Sequence, residues 1–272
     1  MKLSPAKLSG AGPPPESRQL QDSKQNHLLL QTEIDNTEPF LLRTKLYRPR
    51  VPADHVHRFE LLAEFEKESH RPLILVSAPA GYGKSMLVSC WLEGCDTPSA
   101  WLSLDGGDND LRQFLSYLVA ALQSIFHEGI RNTKSLIQTP NLPSIPVLGV
   151  TLINELDCIE QDFVLVLDDI HRIREKPVHE FLDFLVCRPP RPLQLVMVGR
   201  MDPPLPLASL RAKGLLTEIR MRDLRFTTRE GVQFLKRTVG ENLGKPTAEA
   251  LTKKSEGWVT GLRLAGLRVR KM

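Results

Sequence analysis

The stretch Ala78-Pro-Ala-Gly-Tyr-Gly-Lys84-Ser85 constrains this chain more than any other. It follows an apolar run, Leu73-Ile-Leu-Val-Ser-Ala78, and precedes a helical pattern from Met86 to Glu93. Strand, glycine loop, Lys-Ser and helix is the layout of a phosphate-binding P-loop, with consensus G-x-x-x-x-G-K-[ST]. Ala78 stands where the consensus has its first Gly. Gly81 and Gly83 let the backbone curl so that its N–H groups face phosphate oxygens. A helix starting near Lys84 adds its positive N-terminal end. The candidate nucleotide-binding residues are therefore Ala80, Gly81, Tyr82, Gly83, Lys84, Ser85 and Met86. Lys84 can reach the β- and γ-phosphates and is a candidate catalytic residue, and the Ser85 hydroxyl can ligate Mg²⁺. The plainer alternative is a chance Gly-rich turn before a helix, and the motif in this context argues against it.

A strand followed by such a loop needs a sheet around it, and the chain is long enough to build one. Its 272 residues allow one large domain or two modest ones, and 41% hydrophobic residues supply a sizeable core. The net charge of +4 is too small to argue for nucleic acid by itself. Basic residues do cluster, at Arg43 to Arg58, at Arg211 to Arg225 and at Arg263 to Lys271. Such clusters are more often solvated faces than polyanion sites, and the first two flank the phosphate loop. Cys90, Cys95, Cys158 and Cys187 show no C-x-x-C pairing, so neither a zinc site nor a disulfide framework is expected. Reduced thiols fit a cytosolic protein. No segment approaches the ~20 apolar residues of a membrane helix, and no apolar N-terminal core suggests a secretory signal. The expectation is a cytoplasmic protein with no membrane partner.

Three regions follow from the patterning. Residues 1–39, with Pro13-Pro14-Pro15 and many Ser, Gln, Asn and Lys, read as a disordered arm. Residues 40–225 alternate strand and helix patterns. Strands are expected at Leu73–Ala78, Ala100–Leu104, Phe163–Leu167, Leu193–Val198 and Leu216–Met221. Helices are expected at Leu111–Phe126, Val147–Cys158 and Val178–Val186, with a short one ending near Lys213-Gly214. The polar stretch from Asn132 to Pro146 reads as a loop. This alternation predicts an α/β fold, a P-loop NTPase with a parallel sheet flanked by helices. Residues 226–272 read as helices only, at Thr228–Val239, Thr247–Ser255 and Val259–Val269, with Thr227 and Glu230 spaced as a capping box. The pattern stops at Lys271-Met272, as a partial, truncated helical subdomain would.

An NTPase needs acid near the phosphates to hold Mg²⁺. The third strand ends in Asp168-Asp169, the Walker B pattern. Carboxyl ends of parallel strands line the ligand crevice, so both acids are expected near the loop. Asp168 is the candidate metal ligand, mostly through water, and Asp169 the group that positions or deprotonates the attacking water. A simple polar turn is the alternative, favoured only if the motif stood alone. The fourth strand ends in Gly199-Arg200. Arg200 is either a γ-phosphate sensor or a solvent-facing loop residue, and the sequence does not choose. His171 is read as a structural hydrogen bonder. Asp105 and Asp108 are read as turn or cap residues.

Taken in order, Ala78-Pro-Ala-Gly-Tyr-Gly-Lys-Ser, Trp101-Leu-Ser-Leu-Asp-Gly-Gly-Asp-Asn-Asp110, Leu165-Val-Leu-Asp-Asp-Ile-His171 and Glu256-Gly-Trp-Val-Thr-Gly-Leu-Arg-Leu-Ala265 resemble the MalT-type, LuxR-class ATP-dependent transcriptional activators. These belong to the STAND signal-transduction ATPases, and Ala78 in place of Gly is in keeping with them. The likeness runs from about Leu41 to Leu267. Thr44-Lys-Leu-Tyr-Arg-Pro49 and Val56-His-Arg58 resemble the segment that packs near the adenine, which makes Arg58 a candidate base or ribose neighbour. The resemblance implies a switch. An ADP form rests as a monomer, an ATP form self-associates, slow hydrolysis resets it, and a separate helix-turn-helix binds promoter DNA. No helix-turn-helix is legible here, so DNA is expected only through domains missing from this chain. Two alternatives stand beside this: a stand-alone P-loop enzyme such as a small-molecule kinase, and a non-catalytic remnant acting through protein contacts. A transporter ATPase is set aside because Leu8-Ser-Gly10 is too early and incomplete for the signature it needs.

Overall fold

The computed structural model describes residues 41–67, 70–127, 129–240 and 243–270. The expected N-terminal arm and the terminal Lys271-Met272 lie outside the described residues. The elements in chain order are α1 (Phe59–Lys67), β1 (Leu73–Ser77), α2 (Lys84–Glu93), β2 (Ser99–Ser103), α3 (Leu111–Gln123), α4 (Arg131–Gln138), α5 (Ile145–Asp157), β3 (Phe163–Asp168), α6 (Lys176–Cys187), β4 (Leu193–Gly199), α7 (Leu207–Ala212) and β5 (Leu216–Arg220). A four-residue helix α8 (Met221–Leu224) then leads into α9 (Thr228–Val239), α10 (Lys245–Lys254) and α11 (Val259–Val269).

The five strands form one sheet in the order β2-β3-β4-β1-β5, and every pairing is parallel. Continuous apolar runs explain this. β1 and β3 are buried at every position, as strands covered on both faces must be. Alternate residues serve alternate faces. Ile74, Val76, Val164, Val166, Val196 and Val198 pack against Leu61 and Phe65 of α1 and Leu87, Val88 and Trp91 of α2. None of that cluster comes from α3, α5 or α6, whose buried residues cover the opposite face; there Phe114 and Phe181 meet edge to face, 6.3 Å between centroids.

Register sets the site. Ser77 pairs with Gly199, and Leu167 pairs with Met197. The ends of β1, β4 and β3 therefore stand nearly level on adjacent strands, with the glycine loop, Arg200 and the two acids leaving from one edge.

Three helices, α1, α4 and the four-residue α8, are additions to the sequence reading. The stretch expected as a loop from Asn132 contains α4, whose ends are satisfied by distant residues. The Glu155 carboxylate accepts from the Asn132 and Thr133 amides at 2.6 and 3.0 Å, acting as an N-cap supplied by α5. At the other end the Arg112 guanidinium donates to the carbonyls of Ile137, Thr139 and Pro140. Helix α1 is short and buries only Leu61 and Phe65, the latter against Trp91 at 5.2 Å.

From Leu42 onward the chain is one unit, so α9 to α11 pack onto the sheet domain. The capping box forms: Thr227 Oγ1 accepts from the Glu230 amide at 3.2 Å, and Glu230 Oε2 accepts from the Thr227 amide at 2.7 Å. Phe234, Leu235, Ala248 and Leu262 make a small core that also buries Val56 from the segment before α1.

Candidate nucleotide-binding site

Helix α2 begins at Lys84, and its N-cap, Gly83, is left-handed with φ of 77°. Gly81 is left-handed as well, with φ of 83°. Only glycine adopts this freely, so the two residues fold the loop back over the N-terminus of α2. The result is a cleft of about 210 Å³ lined by Ala80, Gly81, Gly83, Lys84, Ser85, Met86, Asp169 and Arg200. Residues from the ends of β1, β3 and β4 are thereby brought together. Tyr82 lines the neighbouring pocket instead.

The cleft's charges are strongly coupled. The Lys84 ammonium is buried and donates to the Pro79 carbonyl at 2.9 Å. Burial pulls its pKa down, opposed by Asp169 and assisted by Arg200. Ser85 Oγ donates to Asp168 Oδ1 at 2.9 Å, and the Asp169 amide donates to the same oxygen at 2.9 Å. Burial nonetheless raises the Asp168 pKa to about 6, and the neighbouring Asp169 adds to the rise. This carboxylate is short of positive charge, and a divalent cation beside Ser85 would supply it.

Asp169 is a non-glycine residue in the left-handed region, at φ of 58°. Such a conformation costs about 1 kcal/mol or more and persists where its surroundings hold it. Its carboxylate faces the cleft. Buried His171 Nδ1 lies 3.6 Å from Asp169 Oδ1, with its pKa lowered by burial against the pull of Asp169. The turn behind it is held by Asn109, whose Oδ1 accepts from the Arg174 and Glu175 amides at 2.6 and 3.1 Å. The sequence reading gave Asn109 no role. Arg200 is exposed and lines the cleft, so the two roles left open for it are compatible. Asp105 caps a 3-10 turn through the Gly107 amide, and fully buried Asp108 is paired with Lys45 at 2.5 Å. Both stand outside the cleft lining.

Beside the cleft lies a second, apolar pocket of about 280 Å³. Its walls are Val56, Leu62, Met86, Leu87, Phe226, Phe234 and Val259, with Asp54, His57 and Arg263 among the polar residues. Gly81, Gly83 and Met86 line both cavities, so the glycine loop is their common wall.

The resemblance makes Arg58 a candidate base or ribose neighbour. It stands in the wall of this pocket, but its donors go to protein. Nε donates to Glu230 Oε1 at 2.9 Å, Nη1 to the Leu224 carbonyl, and Nη2 to the Asp223 and Arg225 carbonyls, each at 3.0 Å. Burial pushes the Glu230 carboxyl up, yet Arg58 and the Thr227 amide outweigh that and hold it below its ordinary value. Arg58 thus fastens the helices after β5 to the segment before α1.

The loop also has a cover that sequence reasoning did not assign. Trp258 Nε1 donates to the Ala80 carbonyl at 3.0 Å, and the Thr260 amide donates to the Gly81 carbonyl at 3.1 Å. The signal was the Gly257-Trp258 pair, whose spacing says nothing of its partner 178 residues away.

No protein-family model matches the chain. The chain is 35% identical over 231 residues to the HTH-type transcriptional regulator MalT of Serratia proteamaculans, covering 85% of this chain and 25% of that protein. It is 34% identical over 232 residues to the MalT regulator of Klebsiella pneumoniae, covering 85% of this chain and 26% of that one. The chain thus spans about a quarter of the length of these relatives. Among solved structures, a STAND protein with a tetratricopeptide repeat sensor from Pyrococcus horikoshii superposes with a TM-score of 0.58 at 15% identity, covering 82% of this chain and 31% of that one. A Walker-type ATPase of Pyrococcus abyssi gives 0.51 at 16%, covering 82% and 70%. Among the described residues, no helix is long and apolar enough to cross a membrane. The fold is that of the P-loop NTPases, and over the region they share the chain is similar to the MalT transcriptional regulators.

Proposed function

We propose that this chain binds ATP and ADP with Mg²⁺ and serves as the nucleotide-operated switch module of a MalT-like, LuxR-class regulator. One observation carries this reading: a cationic cleft and an apolar pocket share a glycine loop as their common wall. A polyphosphate suits the first and a planar, weakly polar base the second. Ser85 and Asp168 would hold the magnesium ion. When bound, that ion neutralises charge on the phosphate oxygens.

The chain's own groups have distinct tasks. Lys84 and the loop amides hold phosphate oxygens. Asp169, oriented by its left-handed backbone, positions a water and accepts its proton as hydrolysis proceeds. Arg200 contacts the terminal phosphate. Hydrolysis is slow and acts as a reset; the triphosphate form self-associates. Promoter DNA is contacted by regions of the longer regulator outside these 272 residues.

Calorimetric titration with ADP and ATP in Mg²⁺ tests the reading, with Lys84→Ala alongside. Binding that is lost in the variant supports it; equal affinity in both would remove the loop from the site.

A further inference from the structure

The cover over the glycine loop is built from the chain's other end. Trp258 is the N-cap of α11, and Thr260 lies in its first turn. The first amides of a helix have no partner within it, and the Thr260 amide finds one in the Gly81 carbonyl at 3.1 Å. Thr260 Oγ1 donates to the same carbonyl at 3.2 Å. The Trp258 indole N–H takes the Ala80 carbonyl at 3.0 Å. A Cβ placed on Gly81 would come within 2.6 Å of both Thr260 Oγ1 and Trp258 Nε1, so this approach needs glycine there for its closeness as well as its φ.

A trans peptide is planar, with its C=O and N–H pointing opposite ways. Fixing the Ala80 carbonyl toward Trp258 therefore aims the Gly81 N–H away from it. Fixing the Gly81 carbonyl toward Thr260 does the same for the Tyr82 N–H. These are loop amides, the groups that make an anion cradle. The lining of the phosphate cleft includes no residue after Arg200. The three hydrogen bonds thus grip the loop from behind without entering the cleft.

We infer that Trp258 and Thr260 are positioning residues for nucleotide: they preset the direction of two loop amides and make phosphate affinity depend on α11. The inference rests on the nucleotide reading above and adds the residues that regulate it. It also gives a direct line of influence. Whatever displaces α11 releases the Ala80 and Gly81 carbonyls, and whatever occupies the cradle strengthens the hold on α11, since linkage is reciprocal.

The test is titration of the full chain with MgADP and MgATP, together with amide hydrogen exchange at Gly81 and Tyr82. Trp258→Phe keeps an aromatic ring and removes the donor. Thr260→Val keeps the shape and removes the hydroxyl, while Thr260→Ser keeps the hydroxyl. Trp258→Phe is expected to weaken binding by about three- to tenfold, the worth of one neutral hydrogen bond. Exchange at the two amides should quicken without nucleotide, with the thermal midpoint little changed. Thr260→Val should lose about two- to threefold, and Thr260→Ser should restore it. If the wild type binds, Lys84→Ala abolishes binding, and both donor-deleting variants bind and exchange as the wild type does, this inference is overturned while the nucleotide reading stands. A wild-type chain that binds neither nucleotide overturns both.

Discussion

The two ends of the site are built in opposite ways. At the phosphate end the walls are glycine, Lys84, Ser85, Asp169 and Arg200, and all come from the turns, and the first residues of α2, that follow three neighbouring strands. At the other end the walls are mostly aliphatic and aromatic, and they arrive from α1 and the segment before it, from α2, from Phe226 and from α9 and α11. The first end stores electrostatic cost: a buried ammonium, a buried carboxylate and a left-handed aspartate. The second stores packing, fastened by Arg58 and by the bonds from α11 to the loop. The difference teaches that charge at one end should govern whether phosphate binds, while contacts at the other govern whether the two halves stay together.

The sharpest break with this comparison would come at Lys84. Lys84→Ala should leave no measurable nucleotide binding yet barely lower the melting temperature, because it removes a desolvated charge. Calorimetry and thermal melting on the same sample separate the two effects. Next in size is Asp169→Asn. It should lower turnover by about 100-fold or more while leaving ATP affinity within about twofold, as removal of a general base does; retained turnover in a phosphate-release assay would place the base elsewhere.

The packing end should respond the other way. Arg58→Ala removes one partner of a largely buried pair, with side chains 11% and 18% exposed, and orphans three carbonyls. A loss of about 2–3 kcal/mol is expected, seen in scanning calorimetry as a midpoint lower by roughly 5–10 °C. An unchanged midpoint would mean that the helices after β5 are held by other means.

The smallest effect is a pH dependence. Asp168 has a folded pKa of about 6 against the ordinary 3.8, so ionising it in the fold costs stability. That cost is absent below both values and complete above the folded one. Relative to Asp168→Asn, the wild type should therefore lose stability as pH rises from about 4 to about 7, by on the order of 2 kcal/mol. His171 and His179 have lowered pKa values, so their contributions rise with pH instead. Subtracting the variant's melting curve from that of the wild type cancels them. Mg²⁺ with nucleotide should shrink the difference.

The same contrast explains what the sequence disclosed. The phosphate end was legible because its chemistry is contiguous: Ala78 to Ser85 is one loop, and Asp168-Asp169 closes an uninterrupted apolar strand. Strand existence followed from runs such as Phe163–Leu167, and the Thr227 to Glu230 box marked a helix start to the residue. The apolar pocket was not legible, because Val56, Met86 and Val259 share no local pattern. Helix α4 was missed because its cap, Glu155, lies 22 and 23 residues from the amides it satisfies. The protein partners of Arg58 were not legible either, since nothing nearby in sequence announces three carbonyls 165 to 167 residues away.

The most direct measurement is to titrate the wild type with MgATP, with Mg-tripolyphosphate and with adenosine under one buffer. If the cleft and the pocket are two ends of one nucleotide site, MgATP binds at least about tenfold tighter than either fragment, and adenosine weakens tripolyphosphate binding no more than twofold. Tripolyphosphate binding as tightly as MgATP would contradict the account, because the apolar pocket would then contribute nothing to holding the base.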